Sequence, residues 1–178
     1  MLLTNIIDGH TNDQYIYGII RKLLVMRRNL DKKECVTLLE QNYIGRLAYI
    51  SGGCPHIVPI TYFYDPETHS ITSYSSEGHK IQEMRKNTAV CLAVDEIASI
   101  SNWKSVLLQG TFEELSRIDA KHMLHEFSEG VKKVIKNNYG EHPKYISEFS
   151  AKIDAEDTPI VFRMKIKELT GKLRKNNF

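Results

Sequence analysis

The chain has 178 residues, 42% of them hydrophobic and 26% charged, with a formal net charge of +2. That composition belongs to a globular protein long enough to bury a sizeable core, and the charge is too small to imply nucleic-acid binding. Cys35, Cys54 and Cys91 are odd in number, widely separated and form no C-x-x-C pair, so neither a disulfide framework nor a zinc knuckle is indicated.

A reducing cytoplasm suits three such thiols. No apolar run approaches the ~20 residues that span a bilayer. The opening "MLLTNIIDGHTND" carries Asp8 and Asp13 and lacks the basic and apolar blocks of a signal peptide. The expectation is a cytoplasmic protein with no membrane and no nucleic-acid partner.

In chain order, residues 1–25 read as a helical arm, with Ile16, Ile19, Ile20, Leu23 and Leu24 at helical spacing. "NLDKKECVTLLEQ" predicts a capped helix. Asp31 is the cap, Glu34 stands three residues on, Leu30 and Cys35 form a staple, and the end falls near Asn42. "IGRLAYIS", the turn "GGCP" and "HIVPITYFYD" predict two strands. Pro59 inside the second removes a ladder donor, which implies an edge, a bulge or a ligand-facing position. "SITSYSS", "TAVCLAVDEI", "WKSVLLQGTFEEL" and "PIVFRMKIKEL" continue the β pattern, and "DAKHMLHEFSEGVKKVIKN" is helical. The chain is expected to be mainly β with flanking helices, a small six-stranded antiparallel barrel. Residues 173–178 read as a basic tail.

One stretch carries candidate chemistry, "SSEGHKIQEMRKN". The residues after Gly78 begin a short helix with Ile81 and Met84 facing inward, and a helix start favours phosphate through unpaired N–H groups and its partial positive charge. Ser75 and Ser76 could donate hydroxyl hydrogen bonds, Gly78 permits close backbone approach, Lys80 supplies a full charge, and His79 adds a donor or a proton. A serine-capped surface helix explains the same residues.

Motif order resembles the FMN-binding split-barrel superfamily, which includes the pyridoxamine 5′-phosphate oxidases, and within it the nitroimidazole-resistance-type flavin-nucleotide-binding reductases. The residues that carry this are "MRR", "IGRLAYI", "VPITYFYD", "GHKIQEMRKN" and "VFRMKIKELTGK", over residues 26–172. The resemblance implies a split β-barrel with FMN at the seam of a homodimer. His56, Val58, Pro59, Ile60 and Thr61 would lie along the isoalloxazine. Ser73 and Tyr74 match a polar pair beside the cofactor, and His79 and Lys80 match the basic pair at the phosphate. Ser105 stands where the oxidases carry a glutamine. Trp103 would border the pocket from the second subunit, or else serve as simple core.

Other constellations read as structure. His122 and His125 beside Glu126 are three apart on a helix and suit a solvated face better than a metal site. Cys54 with His56, and Asp95 with Glu96, are more simply explained as strand and strand-end residues than as a thiol nucleophile and an acidic pair. The expected function is an FMN-dependent oxidoreductase loaded by NADH or NADPH, reducing a small-molecule acceptor such as a nitroaromatic or a quinone. His79 would be its acid/base residue or a holder of phosphate. Two alternatives use the same fold. One is pyridoxamine-phosphate oxidation, disfavoured because "MKIKELTGKLRKNNF" replaces the oxidases' substrate-binding arginine and histidine motif. The other is a non-catalytic carrier or sensor of flavin or haem, with His56 or His142 as haem ligands.

Overall fold

The computed structural model describes residues 25–141 and 159–176. The predicted arm, except Val25, and His142 lie outside them. Helix α1, Lys32–Gln41, starts as the sequence dictates. The Asp31 side chain accepts from the Glu34 N–H at 2.8 Å, the Glu34 carboxylate accepts from the Asp31 N–H at 3.0 Å, and Asn42 ends the helix. Arg28 donates to both oxygens of Glu34, at 2.6 and 2.5 Å, tying the preceding strand to the cap. Cys35, Leu38 and Leu39 form the buried stripe.

Eight strands form one antiparallel sheet: β1 Val25–Asn29, β2 Ile44–Ser51, β3 Cys54–Thr61, β4 Phe63–Asp65, β5 Ser70–Ser75, β6 Ala89–Ser99, β7 Asn102–Glu114 and β8 Ile160–Asn176. The order is β3-β2-β6-β7-β8-β5-β4, with β1 added beside the second half of β8. The ends of this path, β3 and β4, are consecutive in the chain. The sheet therefore curls until its ends meet, but among the described strands no ladder joins β3 to β5. The architecture is a split barrel with flanking helices.

Two strands exceed the expected six, for separate reasons. Tyr62 breaks the run "HIVPITYFYD", because its N–H donates to the Tyr43 carbonyl and its buried hydroxyl to the Leu39 carbonyl. The stretch "VMRRN" lies on β8, not in a helix, and Leu173–Asn176, expected in a tail, extend β8 to meet it. Charged residues at an exposed edge hide the strand pattern there.

Inward-facing Leu47, Leu92, Val94, Val106, Leu108, Phe112, Phe162 and Met164 fill the barrel, and α1 and helix α2, His79–Lys86, plug it with Leu38, Leu39, Ile81 and Met84. Helix α3, Arg117–Tyr139, packs outside on β5 and β8 through Leu124, Phe127, Val131 and Ile135.

Candidate functional site

The hairpin β2–β3 turns through Gly52 and Gly53, both with positive φ (56° and 78°), as a two-residue hairpin turn demands. That turn fixes the register, so Tyr49 stands opposite His56. Their rings stack at 5.5 Å. Helix α2 then lays its first residue on the same corner: the His79 ring lies 5.8 Å from that of His56 and 6.3 Å from Tyr49, and its Nε2 is 3.0 Å from Ser51 Oγ. The first residue of α2 thus lies against the β2–β3 hairpin.

The start of α2 has the features of an anion seat. Its N-cap is Gly78, and no side chain caps it. Ser75 donates instead to the Ser76 carbonyl, so the serine-capped reading does not describe this helix. Lys80 is half-buried and makes no ion pair among the described residues, and burial lowers its pKa. A half-buried lysine in the first turn of a helix with no side-chain cap favours an anion there. The neighbouring Arg85 is already engaged by Glu77 and Glu114.

Strand β3 is an edge, which explains how Pro59 is accommodated. Its backbone is open on the side away from β2. Ile60 is buried in the barrel and Val58 packs against the same core, so these two offer backbone rather than side-chain faces, while Ile57 and Pro59 point outward. Thr61 is tied to β5, because Ser73 Oγ donates to its carbonyl at 2.8 Å. Tyr74 faces the other way and meets Phe127 of α3 edge-on at 5.1 Å. Burial raises its pKa. Of the expected polar pair, Ser73 alone reaches β3.

Trp103 and Ser105 are not brought to this corner within one chain. They pair with Ile97 and Asp95, whereas Ala48, next to Tyr49, pairs with Cys91. At ~3.3 Å per strand residue, Trp103 lies roughly 20 Å along the sheet from the histidines. His122 and His125 are exposed on α3, and among the described residues no group of three His, Cys, Asp or Glu is placed to hold a metal ion. None of the described helices is long and apolar enough to cross a membrane. A cavity of about 620 Å³ opens between α1, β4 and α3, lined in part by Asn42, Phe63, Tyr64 and Lys133, and no expected site residue lines it.

Sequence reasoning missed Tyr49, Ser51 and Glu83. A signal for the first two was present: the Gly-Gly turn sets the hairpin register, which places Tyr49 beside His56. Glu83 is one helical turn beyond His79, and hydrogen bonds from Lys86, then Ser51, hold its carboxyl below the usual range.

The profile of the pyridoxamine 5′-phosphate oxidase family matches residues 31–173. An uncharacterized protein of Rhizobium meliloti is 31% identical over 147 residues, covering 82% of this chain and 93% of its own length. Among solved structures, a FAD-binding protein from Mesorhizobium loti superposes with a TM-score of 0.65 at 29% identity, over 85% of this chain and 98% of its own. A candidate 5-nitroimidazole antibiotic resistance protein from Bacteroides thetaiotaomicron gives 0.58 at 15% identity, over 84% and 89% respectively. With the split sheet, the capped first helix and a matched span of most of the chain, the protein belongs to the pyridoxamine 5′-phosphate oxidase family and its split-barrel superfamily.

Proposed function

We propose that the chain binds a flavin nucleotide, FMN, on β3 and the start of α2, and acts as a homodimeric, cytoplasmic FMN-dependent oxidoreductase. The observation that carries this is the corner where the uncapped start of α2, with unpaired Lys80 in its first turn, meets the β2–β3 hairpin through His79, 5.8 Å from the His56 ring of the edge strand β3. Lys80 and the α2 N–H groups would neutralise a phosphoryl group, and Gly78 would let it approach the backbone. Amides along His56–Thr61 would face the polar edge of the ring system. When bound, FMN would supply the hydride or electron transfer itself.

The outer face of β3-β2-β6-β7 supports a homodimer. Ile57, Ile44 and Leu107 are 67%, 54% and 41% exposed there, around Ala48, Ala93 and Pro59. An exposed apolar patch of this kind marks an interaction surface. Trp103 stands on the same face, so a copy laid across it by two-fold symmetry would carry its Trp103 towards the first chain's β3. The three free cysteines support a reducing compartment.

NADH or NADPH would be the electron donor, and a nitroaromatic or quinone the acceptor. The test is the absorption spectrum of the purified protein with and without added FMN, followed by NADH and NADPH turnover with a nitroaromatic. Flavin absorption and turnover support the proposal. A Soret band, or a colourless protein that ignores FMN, overturns it, and flavin without turnover reduces it to a carrier.

A further inference from the structure

Away from the flavin corner, one row of residues runs across four strands. Ile97 of β6 stands opposite Trp103 of β7, Trp103 opposite Arg174 of β8, and Arg174 opposite Arg27 of β1. Cross-strand partners share a face, and this is the outer one, because Val106 and Leu108 of β7 point into the barrel. Lys172 and Asn29 lie beside the row, two residues along. These strands carry cations on the other face too, and carboxylates match them: Glu34 takes Arg28, and Glu96 takes Lys104. The outer cations have no such match. Arg27 and Arg174 make no ion pair or hydrogen bond among the described residues, and the Arg174 Nε is buried without a partner. Lys172 donates to the neutral Asn29 amide oxygen, at 2.5 Å. Asp95, on the same face, is already held by Arg46. Like charges directly opposite on paired strands destabilise the sheet. An anion laid across the two guanidiniums removes that cost and gives the orphaned Nε an acceptor.

The chemistry beside these cations narrows the anion. Half-buried Trp103 and Ile97, which is 70% exposed, form an apolar shelf next to the guanidiniums. Neighbouring strands lie ~4.8 Å apart, so the indole and the two arginines span about 10 Å. An aromatic base stacks on an indole face, and guanidiniums grip phosphate through paired hydrogen bonds. Three uncompensated cations suit a phosphate monoester, which approaches a dianion at neutral pH, better than a diester with half that charge. We infer that this row is a second nucleotide site, which seats the 2′-phosphoadenosine end of NADPH. The adenine lies on Trp103 and the 2′-phosphate on Arg27, Arg174 and Lys172. On the reading that the chain is a flavin-dependent oxidoreductase, this makes NADPH rather than NADH its electron donor. Within one chain the row lies roughly 20 Å along the sheet from His56 and His79. It is continuous with the apolar patch that supports the dimer, so the nicotinamide end is directed to the flavin of the second subunit.

Trp103 is the chain's sole tryptophan, so its fluorescence reports on this site directly. The experiment titrates the full-length protein, with and without added FMN, with adenosine 2′,5′-bisphosphate and with 5′-AMP, which lacks the 2′-phosphate. Both are expected to quench Trp103, and the bisphosphate should bind about tenfold more tightly, as for a gained charge-assisted hydrogen bond. NADPH should show a KM about tenfold below that of NADH at similar kcat, by the same contact. Arg27→Gln and Arg174→Gln should each bring the affinity for the bisphosphate down towards that for 5′-AMP. Trp103→Leu, followed by calorimetry, should weaken both ligands alike. Arg27→Gln should also raise the melting temperature of the ligand-free protein by relieving the repulsion, which separates weaker binding from loss of fold; a lower one would make Arg27 structural and overturn the inference. Equal affinity for the two adenylates, unquenched emission, or a preference untouched by both arginine variants overturns it too, and leaves the flavin reading standing. So does coenzyme A, a 3′-phosphoadenosine, displacing the bisphosphate better than NADPH does. Tight bisphosphate binding to a chain that takes up no FMN supports the site and removes the flavin reading instead.

Discussion

Ser73 donates its hydroxyl to the carbonyl of Thr61 at 2.8 Å, and this bond fastens β3 to β5 where no ladder joins them. Ser73 is buried. Ser73→Ala removes little volume but leaves the Thr61 carbonyl without this donor, so unfolding stability should drop by about 1 kcal/mol. Urea unfolding with an unchanged m value checks this. An unchanged midpoint would show that the split needs no such clasp.

Gly78 separates folding from binding. Its φ of 168° is ordinary extended backbone, and an added Cβ would meet nothing within 4 Å. Gly78→Ala should leave the melting temperature unchanged and weaken FMN, because the methyl stands where the phosphate must approach. Equal FMN affinity in the two proteins would move the phosphate elsewhere.

Gly110 is the opposite case. A Cβ there would lie 2.4 Å from the carbonyl oxygen of Lys165, at the register shift between β7 and β8. Backbone cannot swing aside as a side chain does. Gly110→Ala should cost about 1–3 kcal/mol in thermal or denaturant unfolding, and a neutral result would contradict the packing described.

Acid should loosen the first helix. Hydrogen bonds from Arg28, then the Asp31 N–H, lower the Glu34 pKa to about 2. The unfolded value is ~4.3, so this contribution is present above that pH and is lost as pH falls through about 2. Glu34→Gln keeps a side chain able to cap but removes the titration. Its stability should fall less than the wild type's between those limits. Parallel acid curves would argue against the Arg28–Glu34 bond.

The outer sheet face predicts an assembly. Ile57→Asp with Leu107→Asp should convert a dimer to a monomer in sedimentation velocity and weaken FMN binding. A wild-type monomer would contradict the proposed dimer.

What was legible in the sequence followed from local chemistry. Asp31 and Glu34 spell out a capping box, Ile81 and Met84 mark the inner face of α2, and Pro59 signals an edge, a bulge or a ligand-facing position, of which the structure shows the edge. The breaks came where distant groups decide. Tyr62 ends β3 because Tyr43 and Leu39 offer it acceptors, and "VMRRN" becomes a strand because β8 is long enough to receive it. At the proposed site, the helix start itself points to His79 and Lys80 as candidates. Ser51 is not legible there, because its bond to His79 joins β2 to α2 and neither segment encodes that contact alone. The resemblance sets Tyr74 beside the cofactor with Ser73, yet successive residues on a strand face opposite ways, and Tyr74 packs on Phe127 of α3.

The most direct measurement of the central claim is titration of FMN into the wild type and Lys80→Ala. The account predicts a flavin complex in the wild type, weakened by about 1.5–3 kcal/mol when the lone ammonium beside the α2 N-terminus is removed. Equal affinity in both proteins, or no complex in either, would contradict it.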